Sequence, residues 1–425
     1  MQPAPPQGDR PAERVVSRTF LAEAVSRVGD AISVVALPLT AVLVLHASPA
    51  ELALIGAAQA LPILVLSLPT GAWVDRQSRR WPLLVTADLA RASLVGSIPV
   101  LAVLDLLSIP LLALVGLLVS AAGTFFDLAY AGWLPRLLAG DALHRANARI
   151  ELARSSALVV GPALGGALVA ALTAPIALVG DALSFVLSAL VVASIRALEP
   201  PQPSPQARRS NRTELAAGLR FVMRQPIVRA ITATAGINNL ARAIAMGIAV
   251  LYLVDVGGLS PAEVGLAFAV GSTGYLAGAA VARAMSVRLG MGRTMQLGVG
   301  LFGPSMLLFA VAPQDLIGWT FSAMFFANGF GIAVHNVNQV TLRQTLTPDH
   351  LRARVAAVFR LVIFGAIPVG TVIGGLVAEA LGLRAALVLS GIGLLAGSLP
   401  YLAVRITRLR SLDDLGAGLS PSAPA

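Results

Sequence analysis

Long apolar stretches recur along the whole 425-residue chain and limit its fold more than any other feature. A helix needs about 20 apolar residues to cross the hydrocarbon core of a bilayer. Twelve stretches of this kind lie at residues 20–45, 50–74, 81–104, 109–134, 146–172, 175–195, 228–254, 261–285, 293–312, 315–340, 354–380 and 384–404. None alternates apolar and polar residues, and aromatic residues make up only 5%, which argues against a membrane barrel. The sequence therefore predicts an all-α membrane protein with twelve transmembrane helices.

The composition excludes several functional classes. Charged residues make up 12% of the chain, about half the proportion usual in soluble domains. The absence of cysteine excludes disulfides, thiolate metal sites and a cysteine nucleophile. All the basic residues are arginine, so a phosphate-binding loop lysine and a Schiff-base lysine are excluded too. The four histidines are scattered, so we expect no metal site.

Arginine placement predicts the orientation of the chain in the membrane. Arginines gather before the first stretch, after the last, and in every second connection, as in Arg76, Arg79 and Arg80. The alternate connections contain none except Arg384. The positive-inside rule then puts both termini in the cytoplasm. The net charge of +10 is explained by topology, and no nucleic-acid partner is expected. The arginine- and alanine-rich composition suggests a bacterial protein, and hence the inner membrane.

Internal repeats predict two homologous halves. Ser48-Pro49-Ala50-Glu51 recurs 212 residues later as Ser260-Pro261-Ala262-Glu263, and both are helix-capping sequences. The glycine pattern of 161–168 recurs at 370–377. Two six-helix repeats are the architecture of a transporter class whose halves rock around a central site. The predicted organisation begins with a cytoplasmic tail at 1–19 and a first bundle at 20–195. A cytoplasmic linker at 196–227, with an amphipathic helix near 213–223, leads to a second bundle at 228–405 and a disordered cytoplasmic tail at 406–425.

The connection after the second stretch reads GAWVDRQSRR, residues 71–80. It resembles the loop signature of the major facilitator superfamily, Gly-x-x-x-Asp-Arg/Lys-x-Gly-Arg/Lys-Arg/Lys, with Ser78 where glycine is usual. Three further features resemble the exporter branch that includes the enterobactin exporter and the macrolide efflux proteins. They are Gly29-Asp30, the pair Asp88 and Arg91, and the Gly-Pro-x-x-Gly-Gly of the fifth stretch.

The resemblance implies a cytoplasmic gate at this loop. Asp75 is expected to contact the N-terminus of a helix in the other half, an interaction of about 0.3–1 kcal/mol with the helix dipole. A loop arginine is expected to pair with Asp127 at the inner end of the fourth stretch, and Asp88 with Arg91 as a structural ion pair near the gate. The predicted gate residues are Gly71, Asp75, Arg76, Arg79, Arg80, Asp88, Arg91 and Asp127.

The fifth stretch contains Gly161, Pro162, Gly165 and Gly166. This segment resembles the end of the antiporter signature of proton-coupled exporters, in which the proline favours a helix kink. Ala148 and Ala157 occupy positions where the signature has glycines, so the match is partial. Generic packing of small residues is the alternative interpretation.

Charges inside the apolar stretches are expensive and therefore need a role. Glu23, Arg27 and Asp30 are spaced to share one helix face. The repeat offset maps Asp30 onto Arg242, which lies near Asn238 and Asn239. We hypothesise that Asp30 and Arg242 both face a central cavity, either as an acid–base pair or as facing sites. Protonation of Asp30 or Glu23 would weaken that arrangement and couple proton entry to substrate exit. The alternative is a self-satisfied triad that holds the first helix in place.

Further polar positions complete the predicted pathway. Asp181 is a second candidate protonatable site, and Asn328 begins a polar stripe in the tenth stretch. The remaining lining is expected to be apolar, which suits a bulky amphipathic solute. The predicted proton-coupling or substrate-pathway residues are Glu23, Arg27, Asp30, Asn238, Asn239, Arg242, Asp181 and Asn328.

These features predict a secondary active exporter of a small amphipathic organic compound (a drug, antibiotic or siderophore) that works by alternating access and proton antiport. The expected partners are the substrate and the lipid bilayer, the expected state is a monomer, and no cofactor is expected beyond an ion gradient. A dedicated siderophore or biosynthetic-product exporter remains open. A channel and a membrane-embedded enzyme are the alternatives of other classes; the acids are too dispersed for the usual enzyme sites.

Overall fold

The computed structural model describes residues 10–199, 212–412 and 414, and this part of the chain is helical with no β-strand. The first six helices are α1 (Arg10–Leu43), α2 (Pro49–Val74), α3 (Trp81–Val103), α4 (Ile109–Leu137), α5 (Gly140–Ala171) and α6 (Ala174–Ser194). A short 3₁₀ turn, Arg196–Leu198, follows α6.

The remaining helices follow the connection between the halves. They are α7 (Arg212–Arg224), α8 (Pro226–Met246), α9 (Ala249–Leu251, continued by the π-helical turn Tyr252–Val256), α10 (Pro261–Leu289), α11 (Met291–Gly300), α12 (Phe302–Ala310), α13 (Ile317–Leu346), α14 (Arg352–Leu381), α15 (Leu383–Ala396) and α16 (Leu399–Ala403).

Among the described residues, eleven helical segments are long and apolar enough to cross a membrane. The predicted stretch at 293–312 is divided between α11 and α12, which meet at Leu301. Pro304 explains the break, since it has no N–H to donate to the carbonyl of Gly300 and its ring crowds that carbonyl. Eleven of the twelve predicted stretches are therefore present as membrane-length helical segments among the described residues, the stretch at 293–312 is divided between two short helices, and the all-α membrane fold is confirmed.

The repeated capping sequences form the same local structure. The Ser48 N–H donates to Glu51 Oε2 at 2.8 Å, and the Glu51 N–H donates to Ser48 Oγ at 3.3 Å. The Ser260 N–H donates to Glu263 Oε2 at 2.8 Å, and the Glu263 N–H donates to Ser260 Oγ at 3.4 Å. Each pair satisfies N–H groups that the first helical turn leaves without partners. The sequence repeat is thus also a structural repeat.

The first compact unit comprises Met1–Ser210 and Leu259–Ala269. Within it, α1 packs against α5 and α6, α2 packs against α4, and α3 packs against α4 and α6. Glycines allow the close approach of α5 to α1, because a Cβ at Gly165 would lie 2.9 Å from the carbonyl oxygen of Ile32. This packing fixes the depth of the charged residues on α1.

The second unit comprises Asn211–Gly258 and Val270–Ala425, and its helices use equivalent partners. Helix α8 packs against α14 and α15, α12 packs against α15, and α11 packs against α13. Gly274 lets α10 approach the backbone of α13 at Phe326. In each unit the first helix therefore contacts the fifth and sixth, and the second contacts the fourth, as a pseudo-symmetric repeat requires.

Two expectations about the connecting segments need correction. Residues 10–19, predicted as tail, are the first turns of α1, because Val15 and Val16 are buried against α4 residues such as Trp133. The amphipathic helix is α7, but its apolar face includes Val222, which packs on Val355 of α14 rather than facing lipid alone. Residues 1–9 of the predicted tail, 200–211 of the linker, and 413 and 415–425 of the last tail lie outside the described residues.

Candidate functional site

The first unit contains a cavity of about 400 Å³ bounded by α1 to α4 and α6. This volume lies within the range of about 300–1,000 Å³ that small-molecule sites usually have. Most of the cavity wall is apolar, and charged side chains gather in one part of it. The charged lining residues are Arg27, Asp30, Arg91, Asp127 and Asp181.

Arg27 links three carboxylates in this cavity. Its Nε lies 3.0 Å from Glu23 Oε2, its Nη1 lies 3.6 Å from Asp30 Oδ2, and its Nη2 lies 3.3 Å from Asp127 Oδ1. The structure thus brings together the three charged residues that the spacing places on one face of α1 and adds one from α4. Glu23 is buried, and its Oε1 has no hydrogen-bond partner.

The position of Asp127 corrects the predicted gate. The sequence interpretation paired Asp127 with an arginine of the loop at 71–80, but its ion-pair partner is Arg27. Helix α4 continues for ten residues beyond Asp127 to Leu137, which is about 15 Å along the axis. At this depth the carboxylate meets the interior of the bundle instead of the loop.

Arg91 lies with these charged side chains, which form the interior cluster of the first unit, and not in the loop after α2. Its guanidinium lies between the rings of Phe126 and Phe185, 4.6 and 4.2 Å from their centroids. It pairs with Asp88 on its own helix, and its Nη1 lies 3.9 Å from Asp30 Oδ1. The predicted ion pair between Asp88 and Arg91 is therefore present, and ten residues, or about 15 Å, separate Arg91 from the first residue of α3.

Asp181 is held by two serines next to the same cavity. Ser33 donates to its Oδ2, and Ser184 Oγ lies 3.3 Å from its Oδ1. A Cβ at Gly29 would lie 2.5 Å from that Oδ1, so this position must be glycine for α1 and α6 to approach. The Gly29-Asp30 pair thus places one carboxylate in the cavity while making room for another.

The interior cluster contains more acids than bases. Its five carboxylates are Glu23, Asp30, Asp88, Asp127 and Asp181, and its two guanidiniums are Arg27 and Arg91. With every group ionised, the cluster would carry a net charge of −3, because four of its carboxylates share two guanidiniums and Asp181 has no arginine partner among the described ion pairs. Uncompensated charge is expensive in a low-dielectric interior, so this arrangement is suited to binding protons.

The second unit has a smaller cavity of about 200 Å³. Arg242 lines it, and its Nη2 donates to Asn239 Oδ1 at 3.1 Å. Asn238 and His335 also line it, and His335 Nε2 lies 2.6 Å from the hydroxyl of Tyr401. The ion pairs of Asp30 are with Arg27 and Arg91 of its own unit.

Asn328 does not line this second cavity, although the sequence interpretation placed it in the substrate pathway. Its Nδ2 donates to the carbonyl oxygen of Met324 at 2.9 Å and to Ser305 Oγ at 3.2 Å. The bond to Ser305 ties α13 to α12, the bond to Met324 lies within α13, and the side chain is buried. Its geometry is that of a packing contact between helices.

The loop after α2 forms a compact charged turn. Arg80 Nη2 lies 2.8 Å from Asp75 Oδ1, and Arg80 is buried whereas Asp75 is exposed. The guanidinium covers Gly132, where a Cβ would collide with it. Arg76 and Arg79 are exposed. Of the predicted gate residues in this loop, Asp75 and Arg80 are therefore in direct contact.

Glu199 is the residue at this end of the bundle that sequence reasoning missed. Its carboxylate accepts the backbone N–H groups of Arg80 at 2.8 Å and Trp81 at 3.0 Å, at the start of α3. It also accepts the indole N–H of Trp133 at 3.2 Å and lies 3.4 Å from Arg136 Nη1. The sequence interpretation assigned Glu199 to the cytoplasmic linker at 196–227. The available signal was a single acid four residues after the predicted stretch at 175–195.

The glycine motif of α5 packs on the part of α1 that follows Asp30. A Cβ at Gly161 would collide with Ala31, and one at Gly165 would meet the backbone of Ile32. Gly166 approaches Gly265, at the start of α10, so closely that a Cβ would lie 2.8 Å from its Cα. Pro162 of the same motif is also buried. These residues therefore set the position of α1, whatever their role in coupling.

Comparisons with known proteins agree with this architecture. The family model described as transmembrane secretion effector matches residues 11–421. The multidrug efflux pump Tap of Mycolicibacterium fortuitum is 31% identical over 409 residues, covering 91% of this chain and 94% of the relative. The enterobactin exporter EntS of Escherichia coli O1:K1 / APEC is 28% identical, covering 81% of this chain and 80% of the relative.

Solved structures support the fold independently. A bacterial homologue of the iron transporter ferroportin, in an inward-facing state, aligns with a TM-score of 0.75 at 17% identity, covering 93% of this chain and 99% of that one. The nucleoside transporter NupG aligns with a TM-score of 0.72 at 10% identity, covering 92% and 99%. The chain is thus a multi-pass membrane protein with the major facilitator fold, and it belongs to the transmembrane secretion effector family of that superfamily of transporters.

Proposed function

We propose that the protein is a proton-coupled secondary active exporter of small amphipathic organic compounds in a bacterial inner membrane, with both termini in the cytoplasm. The observation that carries the proposal is the interior cluster of the first unit, where five carboxylates surround two guanidiniums beside a largely apolar cavity. Proton binding and substrate binding would then occur next to each other, so that each can change the free energy of the other.

The ion pairs supply a physical route for coupling. Asp30 lies between Arg27 and Arg91, at 3.6 and 3.9 Å. A proton on Asp30 removes its negative charge and weakens both contacts, which frees donors of the two guanidiniums. A ligand in the cavity meets a different electrostatic surface before and after proton binding, so one event changes the free energy of the other.

The apolar part of the cavity supports an amphipathic substrate. Its wall includes Val34, Leu37, Ile63 and Val95 beside the charged cluster. The curated relatives are named as a multidrug efflux pump and as an enterobactin exporter, and both names support outward movement of an organic compound. The greater coverage and identity of the multidrug relative favour a broad substrate range over a dedicated siderophore or product exporter.

The loop after α2 would serve as the gate on the cytoplasmic side. Asp75 is exposed and already paired with Arg80 at 2.8 Å, so the loop is preshaped before any further contact. In this proposal Asp75 also binds a helix N-terminus of the other half when the cytoplasmic side is closed. The gate residues Gly71, Arg76 and Arg79 complete the loop.

Everted membrane vesicles provide the test. With an imposed pH gradient, acid inside, vesicles that contain the protein should accumulate a fluorescent amphipathic dye, and a protonophore should abolish the accumulation. The Asp30→Asn variant should lose gradient-driven accumulation by at least about tenfold, corresponding to 1.4 kcal/mol or more. Asp105→Asn is the matched control, since Asp105 is exposed in a connection outside the cluster.

Two results would contradict the proposal. Unchanged accumulation in Asp30→Asn, at equal protein level, would remove this residue from coupling. Transport that requires ATP and ignores the pH gradient would exclude secondary active transport altogether. A panel of cationic, neutral and anionic dyes in the same vesicles would distinguish a broad exporter from a dedicated one.

A further inference from the structure

Arg242 of α8 is a partly buried charge without a carboxylate partner in the described part of its unit. We propose that its guanidinium binds an anionic group of the transported compound, so that the second cavity is a subsite for amphipathic organic anions. The inference rests on the proposed exporter function and names a substrate class for it.

The first step is the unused hydrogen-bonding capacity of the guanidinium. Arginine carries five N–H donors in a planar fork. Within the second unit, Arg242 makes a hydrogen bond through Nη2 to the neutral oxygen of Asn239 at 3.1 Å. No described ion pair includes Arg242. Most of its donors are therefore available to a ligand that enters the cavity.

The second step is the depth of this charge. Arg242 lies in the middle of the 31-residue apolar span Pro226–Val256. A charge at such a depth is costly even on the most lenient insertion scale. The acids in the described part of this unit lie within three residues of a helix end or in connections, namely Glu214, Asp255, Asp315, Asp349, Glu379 and Asp414. The unit thus supplies no acid at the middle of a span to offset the charge.

The third step is the chemistry of the cavity around Arg242. Asn238, Asn239 and Asn336 bring amide groups to its wall, and Phe302 and Phe359 bring aromatic rings. A carboxylate or sulfonate can form two parallel charge-assisted hydrogen bonds with a guanidinium. The rings can then cover an apolar or aryl group attached to that anion. The lining therefore matches an organic anion with an apolar body.

The size of the cavity defines how much of a ligand it accepts. Its volume of about 200 Å³ is below the range of roughly 300–1,000 Å³ usual for drug-sized sites. The cavity accordingly takes one acidic aryl or alkyl group of a larger compound. The first unit does not offer an equivalent anion site, because both of its cluster guanidiniums, Arg27 and Arg91, are already paired with carboxylates.

Direct binding of two matched probes tests the inference. The full chain, purified into nanodiscs of zwitterionic lipid, is titrated with naphthoate and with naphthamide, which share one ring system and differ in charge. Wild type should bind naphthoate at least about tenfold more tightly than naphthamide, a difference of 1.4 kcal/mol. In Arg242→Gln the two affinities should become equal within about twofold, while naphthamide binding stays near the wild-type value and shows that the cavity is intact.

Two further variants control the experiment. Arg242→Lys retains the charge and should keep a reduced preference for naphthoate, because an ammonium lacks the bidentate geometry. Arg293→Gln removes an exposed arginine of the same unit and should leave the preference unchanged. Equal binding of the two probes by wild type, no saturable naphthoate binding, or a full preference in Arg242→Gln would each overturn the inference.

The vesicle assay separates this inference from the proposed function. A naphthoate preference that depends on Arg242, in a protein that moves no dye against a gradient, would refute the exporter function and leave the anion site standing. Gradient-driven export without any naphthoate preference would retain the function and remove the anion site.

Discussion

Glu199 provides a quantitative test of how the connection after α6 is held to the bundle. Its side chain is fully buried and accepts from two backbone N–H groups at the start of α3 and from the indole of Trp133, at 2.8 to 3.2 Å. Arg136, itself almost buried, lies 3.4 Å away. Glu199→Gln replaces one acceptor oxygen by an NH₂ group that faces these donors and removes the charge that Arg136 meets.

The expected cost follows from these contacts. Hydrogen bonds to a charged acceptor contribute about 1.5–3 kcal/mol each, and breaking one partner of a buried ion pair costs about 3–5 kcal/mol. These contributions overlap, because the same carboxylate serves all four donors. Since the glutamine retains one acceptor oxygen, we expect Glu199→Gln to lower the free energy of unfolding by about 2–4 kcal/mol.

Glu214→Gln is the matched control. Glu214 pairs with Arg354 at 3.3 Å, nearly the same separation, but the two side chains are 49% and 33% exposed. A pair of this kind contributes about 0–1 kcal/mol. The comparison therefore holds the residue types and the distance nearly constant and changes the burial.

Equilibrium unfolding of the purified chain in mild detergent, followed by tryptophan fluorescence, measures both variants. Trp133 should also report the loss of its hydrogen bond through a shifted emission maximum in Glu199→Gln. A double-mutant cycle with Arg136→Gln gives the coupling energy of the pair directly. A loss below about 0.5 kcal/mol in Glu199→Gln, or an equal loss in both glutamate variants, would refute the reasoning.

Two further predictions concern packing in the first unit. Arg91→Lys should lower the free energy of unfolding by about 1–2 kcal/mol, because an ammonium cannot stack between two phenylalanine rings as a planar guanidinium does; an unchanged unfolding midpoint would contradict this. Gly165→Ala should cost about 1–3 kcal/mol, because the new Cβ would lie 2.9 Å from the Ile32 carbonyl oxygen. Gly71→Ala is its control, because a Cβ at Gly71 meets nothing within 4 Å. Helix propensity should then raise the free energy of unfolding by about 0.5–1 kcal/mol. Thermal unfolding should show a lower midpoint for Gly165→Ala and a higher one for Gly71→Ala.

The fold was predictable from sequence because its determinants are local and periodic. Apolar stretches of membrane length identify helices without knowledge of their partners. The capping sequences at Ser48 and Ser260 define two helix starts at equivalent places in the repeat. The break at Leu301 was missed, although Pro304 was visible in the sequence, because a membrane helix can accommodate a proline without ending.

The site was only partly predictable because its key contacts join distant segments. The i, i+4 spacing correctly grouped Glu23 with Arg27, since both lie on one helix. No local pattern connects Asp127 with Arg27, which are 100 residues apart. The same reason explains the missed Glu199, whose partners Trp81 and Trp133 are 118 and 66 residues away.

Equivalent positions of the two halves carry opposite charges, and this contrast has a mechanistic consequence. The repeat offset of 212 residues relates Asp30 of α1 to Arg242 of α8. Asp30 lies among arginines and other acids, whereas Arg242 lies among neutral amides and aromatic rings. In the proposed mechanism the first copy exchanges protons and the second holds an anionic group of the substrate. The two substitutions should therefore impair different steps. Asp30→Asn should reduce the response of transport to the pH gradient, and Arg242→Gln should reduce the affinity for organic anions.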